Sequence, residues 1–185
     1  FTQNNGPTTI NNTILIGNTG NATGNNNGVF NGNGPFSFNN NLTEAGTGGP
    51  TSGTNLTAAS AAVVLNATLA SNGGPTQTHA LVANSPALNT GSNALAVDQN
   101  NQALTTDQRG TGFPRSVGTV DIGAFEMDPA QSGPDFVVNT LDNLKDGVCS
   151  TLHCSLRDAI VAANANADAS TITFSVSGTI VLDAV

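Results

Sequence analysis

The stretch TTINNTILIG (residues 8–17) decides the predicted fold, because an Asn-Asn pair separates two short β-branched runs. The same texture continues to residue 57, with apolar residues at Val29 and Phe30 and a Phe-Ser-Phe run at 36–38, all bounded by Asn and Gly clusters. Short strands with frequent turns are typical of a β-solenoid. Asn and Gly tolerate left-handed backbone at corners, and stacked Asn and Thr side chains form hydrogen-bonded ladders. We therefore predict an all-β solenoid, with a disordered Gly- and Asn-rich linker as the alternative.

Charge and hydropathy exclude two classes of partner. The chain has 185 residues, with 4 Lys and Arg against 12 Asp and Glu, and a formal net charge of -8. Such a chain has no basic surface for a nucleic-acid backbone or an anionic membrane. No apolar run approaches the roughly 18 residues of a membrane span, so we expect no membrane insertion in this segment. Because residue 1 is Phe in a polar stretch and residues 179–185 are strand-like, we expect a piece of a longer chain.

The two cysteines, Cys149 and Cys154, predict a compartment. A closed zinc site would need two further ligands at similar spacing, and only His153 is near. A disulfide that closes a short loop is the better interpretation, and it would imply an oxidising environment. We therefore expect a secreted or surface-displayed protein.

A change of texture divides the chain. The run MDPAQSGP (127–134) carries two prolines and no apolar periodicity, which indicates a linker over 129–134 between segments 1–128 and 135–185. After it, Phe136-Val-Val138 predicts a strand, and strands are also predicted at 172–176 and 179–182. Ser155 and Asp158 form a capping box, so we predict a capping α-helix near residues 155–165. Its apolar face would be formed by Leu156, Ala159, Ile160 and Ala163.

Several long motifs resemble a known family of bacterial surface proteins. The segments LASNGGPTQTHAL (69–81), NSPALNTG (84–91), DQRG (107–110) and DIGAFE (121–126) resemble the C-terminal part of choice-of-anchor Q proteins. The segments FVVNT (136–140), DGVC (146–149) and CSLRDAI (154–160) resemble the CSLREAI domain, with Asp158 where that family has Glu. This resemblance implies a right-handed parallel β-helix on the bacterial cell surface.

The order of the two motifs predicts a function. The motif that closes a β-helix comes first here and the motif that opens one comes last, which indicates the junction between consecutive units of a tandem array. We therefore predict an extracellular structural protein whose units join end to end into a surface fibre by β-strand augmentation. Strands near 172–185 of one unit would pair with strands near 1–16 of the next unit, either in a separate subunit or in one long chain. The predicted interface residues are Ile10, Ile14, Ile16, Ile172, Phe174, Ile180 and Leu182.

Alternating charges in the closing motif are the main candidates for chemistry. They are Asp107, Arg109, Arg115, Asp121 and Glu126. We interpret them as a structural salt-bridge network and expect no enzymatic activity. The alternative is a polysaccharide lyase or hydrolase that uses paired carboxylates, with Asp98 also available. His79 has no specified partner and is interpreted as a hydrogen-bonding turn residue.

Ligands other than a second copy receive weaker support from the sequence. The segment Asp142–Gly147 has acids at its first and fifth positions, but Leu144 and His153 stand where an EF-hand needs ligands. No cofactor is therefore expected, and a partial calcium site stays open. An adhesin that binds a glycan or a host partner is the other alternative for function. The lack of Tyr and Trp weakens sugar stacking.

Overall fold

The computed structural model describes residues 8–18, 36–44, 54–145 and 147–182. The predicted apolar pair at Val29 and Phe30 lies outside the described residues, as does Asp146 of the candidate calcium loop. The elements in chain order are β1 (Thr8–Asn11), β2 (Ile14–Leu15), β3 (Phe36–Asn39), β4 (Leu42–Glu44), β5 (Leu56–Ala58), β6 (Asp135–Val138), helix α1 (Leu156–Ala165) and β7 (Thr171–Phe174), with 3-10 turns at Ala61–Val63 and Asn93–Leu95.

All strand pairs among these elements are parallel, and they form three small sheets. In the first sheet β1 pairs with β3, and in the third sheet β6 pairs with β7. The second sheet has three strands in the order β2-β4-β5. In the three-stranded sheet the register places Ile14 beside Leu42 and Leu42 beside Leu56. The apolar side chains of successive strands therefore stack on the same face.

The prediction of a right-handed parallel β-helix is wrong. Within the described residues, the sheets contain two, three and two strands, and none closes or continues as a solenoid. From Ala61 to Pro134 the chain runs through turns and isolated antiparallel bridges, such as those of Leu65 with Leu81 and Val97 with Ala103. Gly, Pro and Asn interrupt this stretch every few residues, so its apolar runs are too short to sustain a ladder of parallel coils.

The expected role of asparagine at corners and between strands is confirmed. Asn12 and Asn40 follow β1 and β3 in left-handed backbone, with φ of 46° and 53°. Asn41 is fully buried: its Oδ1 accepts from the Thr13 N–H (2.9 Å) and its Nδ2 donates to the Ile10 carbonyl (2.8 Å). The Asn41 N–H and Nδ2 both donate to Asn55 Oδ1, each at 3.0 Å. These amides join β1–β2, β3–β4 and β5 where the backbone turns between strands.

Two separate apolar cores lie on either side of residue 128. The first contains Leu42, Ala58, Val64, Leu81, Ala87 and Ile122. The second contains Phe136, Val138, Cys149, Cys154 and Ala159. Residues 129–134 are tied to the second half, because Pro129 O accepts from Thr151 N (3.0 Å) and Gln131 N donates to Cys149 O (2.8 Å). Where one domain ends and the next begins stays a prediction.

Helix α1 confirms the helix predicted near residues 155–165, although the described residues contain no β-helix for it to cap. Ser155 Oγ accepts a hydrogen bond from the Asp158 N–H at 3.2 Å and donates to Asp158 Oδ2 at 2.7 Å. Leu156, Ala159 and Ala163 pack against the second core as expected. Ile160 does not, since 44% of it is exposed. The helix therefore buries a narrower face than its apolar spacing predicts.

Candidate functional site

The structure brings all five charged residues of the closing motif together and buries them. The residues of this charged cluster are Asp107, Arg109, Arg115, Asp121 and Glu126, each at most 7% exposed. The turns at 107–126 carry them, and no strand or helix does. Buried charges are costly unless they are paired and hydrogen-bonded, so their partners decide what the cluster can do.

Asp107 holds Arg109 through both carboxylate oxygens. Oδ1 accepts from the Arg109 backbone N–H at 2.7 Å, while Oδ2 accepts from Arg109 Nε at 2.9 Å and lies 2.7 Å from Nη2. Oδ2 also accepts from the Glu126 backbone N–H at 2.9 Å. Arg109 Nη2 in turn donates to the Glu126 carbonyl at 2.6 Å. This carboxylate therefore clamps the turn at 107–110 onto the end of the motif.

Two phenylalanine rings enclose the Arg109 guanidinium. Its Cζ lies 4.1 Å from the ring centre of Phe113 and 4.0 Å from that of Phe125. Cation–π contacts of this kind strengthen when water is excluded. Neither ring was predicted from the sequence as part of the cluster, although each lies inside or beside the motif that contains the charged residues.

Arg115 and Glu126 form the second buried ion pair. Arg115 Nη1 donates to Glu126 Oε2 at 2.9 Å, and its Nη2 donates to the carbonyls of Asp121 (3.2 Å) and Gly123 (3.0 Å). Glu126 Oε1 accepts from the Val117 N–H at 2.9 Å, and Oε2 also accepts from the Asp121 N–H at 2.8 Å. The pair therefore fixes the turn at 115–123 from inside.

Asp121 connects the charged cluster to the preceding loop. Its Oδ1 accepts from the Asn89 N–H and its Oδ2 from the Met127 N–H, both at 2.7 Å. Burial raises the pKa of Asp121 more than these hydrogen bonds and the charge of Arg115 lower it. All six carboxylate oxygens of the cluster thus accept at least one hydrogen bond from the protein. The arrangement therefore holds the turns of the cluster together.

Glu126 supplies a pH-dependent contribution to stability. Burial raises its pKa from an ordinary value of 4.5 to about 7, against the lowering effects of the Asp121 and Val117 N–H groups and of Arg115. The folded state therefore binds this proton more tightly than the unfolded state does. Its contribution is complete below about pH 4.5 and is lost as the pH rises through 7.

We expect the free energy of unfolding to fall with rising pH between about 5 and 7 more steeply in the wild type than in Glu126→Gln. Urea denaturation at several pH values measures both slopes. Equal slopes would contradict the raised pKa of Glu126.

The other two candidates for chemistry, Asp98 and His79, form hydrogen bonds within local turns. Asp98 Oδ1 accepts from the N–H groups of Asn100 and Gln102, both at 2.8 Å, and these two hydrogen bonds lower its pKa. His79 Nδ1 contacts the Asn66 carbonyl at 2.8 Å across an irregular hairpin. Both arrangements agree with hydrogen-bonded turns.

The predicted disulfide joins Cys149 to Cys154 within the second core. Beside it, His153 Nε2 lies 2.9 Å from Asp142 Oδ2, a pairing that the sequence did not indicate. Burial acts to raise the pKa of Asp142, but the hydrogen bonds from His153 and Thr140 and the charge of His153 lower it overall. Among the described residues, no group of three or more His, Cys, Asp or Glu side chains could hold a metal ion.

The predicted interface residues divide into two kinds. Ile14 and Ile16 pack on the first core, and Ile172 and Ile180 pack on the second, all four half-buried. Ile10 in β1 is also half-buried. Phe174 and Leu182 are different, because 54% and 59% of them are exposed. The exposed apolar surface of this set therefore lies at the C-terminal strand and the segment after it.

No family model matches the chain, and no curated protein or solved structure matches it either. Within the described ranges, no helix has the length and the apolar character needed to cross a membrane. Function must therefore be inferred from the contacts and exposed surfaces of the chain itself.

Proposed function

We propose that this chain is an extracellular structural module that joins other copies, or further units of a longer chain, end to end by β-strand addition. The single observation that carries the proposal is the outer edge of β7, where an apolar strand has a partner on one side only among the described residues. Exposed strand edges are templates for pairing with another chain. The proposal needs no cofactor and no catalytic group.

The backbone of β7 has hydrogen-bonding groups directed away from β6. Thr171 N donates to Pro134 O at 3.0 Å, and Ser175 N donates to Val138 O at 2.9 Å. In a parallel strand alternate residues bond to opposite sides. Ile172 and Phe174 therefore direct their N–H and C=O groups to the outer edge, where an added strand would bond them.

The side chains at this edge favour an added strand as well. Phe136 pairs with Ile172 and Val138 pairs with Phe174 in register, so all four side chains share one face of the sheet. Phe136 and Val138 are buried, whereas Phe174 is exposed by 54%. The apolar face thus continues past the last strand without a cover. A further strand would extend this face and bury Phe174.

Strands at the other end of the chain are suitable partners. β1 has β3 as its strand partner among the described residues, and β2 forms one edge of its sheet. They lie within the segment predicted from sequence to receive residues 172–185. All pairs in the structure are parallel, so a parallel addition repeats the geometry that the chain already uses.

Three further observations support a structural role at the cell surface. The charged cluster uses its carboxylates and guanidinium groups to hold turns together, which suits a scaffold better than a hydrolase site. The Cys149–Cys154 disulfide suits an oxidising compartment. The motifs that resemble choice-of-anchor Q and CSLREAI proteins point to the same location.

Phe174→Lys tests the proposal at a side chain of which 54% is exposed. Burying the phenyl group should contribute about 1.5 kcal/mol or more, so we expect at least a roughly tenfold weaker self-association. Sedimentation velocity over a range of concentrations measures the association, and negative-stain electron microscopy shows whether filaments form. Leu69→Lys is the matched control, because Leu69 is 50% exposed on an irregular hairpin and should leave association unchanged.

A wild-type chain that stays monomeric at all concentrations would overturn the proposal for separate copies. Equal loss of association in both lysine variants would overturn the assignment to β7, since the effect of the lysine would then not depend on its position. Binding of the monomer on a glycan array would instead favour the adhesin alternative.

A further inference from the structure

A groove of about 680 Å³ runs beside β1 and β2. Its apolar walls are formed by Ile14, Ile16, Leu81, Val97, Leu104 and Phe125. The residues between the two strands, Asn12 and Thr13, also line it. The volume is in the range of sites that enclose several apolar groups. Asp107 and Arg115 of the charged cluster also line this edge groove.

We infer that the edge groove receives residues 179–182 of a second copy, as the acceptor site of the proposed assembly. This inference rests on the proposed function and specifies its contact. The donor segment, Thr-Ile-Val-Leu, follows β7 after a bend at Gly178. The strand predicted from sequence at residues 179–182 is wrong, because this segment has no strand partner among the described residues. Val181 and Leu182 in this segment are 66% and 59% exposed, the two most exposed large apolar residues among those described.

Charge favours residues 179–182 over charged parts of a second copy as the occupant of the edge groove. Each copy carries a formal net charge of -8, so two copies repel each other, and an uncharged contact avoids adding close pairs of like charges to this repulsion. The donor residues 179–182 carry no charge. The carboxylate and guanidinium that border the groove, Asp107 and Arg115, are already paired with Arg109 and Glu126. Docking therefore leaves no charge buried without a partner.

Continuity with the β7 edge also favours this occupant. In the first half, β1 is followed by the corner at Asn12 and then by β2. In the donor, β7 is followed by a bend and then by residues 179–182. A copy that adds β7 along β1 would therefore carry the segment 179–182 toward β2 and its groove. One approach of two copies makes both contacts.

Cysteine cross-linking between two variants tests the contact. Leu182→Cys places a thiol on the donor, and Leu104→Cys places one on the groove wall, where Leu104 is 43% exposed. The native cysteines are already joined to each other. An equimolar mixture of the two variants is treated with a short bismaleimide, and the cross-linked dimer is identified by mass spectrometry. Leu69→Cys replaces Leu104→Cys in the control mixture, because Leu69 is exposed but does not line the groove.

We expect at least tenfold more heterodimer with Leu104→Cys than with Leu69→Cys. Equal yields from both mixtures, while sedimentation still shows self-association, would overturn the groove as acceptor and leave the proposed function standing. Monomers in both mixtures at every concentration would overturn the proposed function and this inference together. Cross-linking within a single chain of a Leu104→Cys, Leu182→Cys double variant, at a concentration that excludes dimers, would also contradict a second copy as the occupant.

Discussion

Asp107→Ala should destabilise the protein by about 3–5 kcal/mol, because it leaves the buried Arg109 guanidinium without its carboxylate. The variant also deprives the backbone N–H groups of Arg109 and Glu126 of their acceptor. The two phenyl rings around the guanidinium exclude the water that would otherwise replace the lost oxygens. Urea denaturation followed by circular dichroism measures the loss.

Asp135→Ala is the matched control for Asp107→Ala. Asp135 is an exposed acid at the start of β6, so its removal should change the free energy of unfolding by no more than about 0.5 kcal/mol. A loss below about 1 kcal/mol in Asp107→Ala would contradict a structural role for the charged cluster. Such a small loss would instead favour the alternative that the charged cluster is a catalytic site, at which buried charges are kept at a cost to stability.

Gly74→Ala should lower the free energy of unfolding more than any other addition of a single methyl group in the closing motif. Gly74 has φ of +75°, and an added Cβ would lie 2.4 Å from the Arg109 carbonyl oxygen and 2.6 Å from the Arg109 Cα. These are backbone atoms of the turn that Asp107 clamps, so they cannot move aside as a flexible side chain would. Overpacking of about 1–3 kcal/mol adds to about 1–2 kcal/mol for left-handed backbone. We expect a loss of about 2–5 kcal/mol by urea denaturation.

Gly110→Ala separates the two causes. Gly110 has φ of +87°, but a Cβ there would meet nothing within 4 Å. This variant should therefore show only the backbone part, about 1–2 kcal/mol. If both variants lost the same amount, the close contact between Gly74 and the turn at Arg109 would be refuted.

Short-range patterns in the sequence predict several local elements of this fold. β-branched runs mark β1, β2 and β7, Asn residues mark corners, and the Ser155–Asp158 capping box marks the start of α1. Each of these signals acts over a few residues, which is why the sequence can predict it. Ile160 shows the limit, because helical spacing does not reveal how much of the helix surface the neighbouring sheet covers.

The architecture was not predictable in the same way. Residues 61–134 fold through turns and isolated bridges, and the charged cluster holds them together with long-range bonds such as Asn89 N to Asp121 Oδ1. A sequence pattern of short strands separated by turns occurs both in solenoids and in irregular folds of this kind. Only the pairing partners distinguish them, and the sequence does not specify those.

The charged cluster was predicted as a set, and its aromatic enclosure was not. Alternating Asp and Arg residues in one motif indicated mutual pairing, and the structure pairs Asp107 with Arg109 and Arg115 with Glu126. Phe113 and Phe125 carried no separate signal, because an isolated Phe in a loop usually indicates ordinary burial. A Phe that follows a charged turn by a few residues is a signal that could have found them.

Hydrogen exchange of the β7 amides tests strand addition most directly. The amides of Ile172 and Phe174 face the outer edge, whereas those of Thr171 and Ser175 are already bonded to Pro134 and Val138. We expect the Ile172 and Phe174 amides to become protected at concentrations where the chain associates, with little change at Thr171 and Ser175. Association that leaves Ile172 and Phe174 unprotected would contradict assembly through the edge of β7.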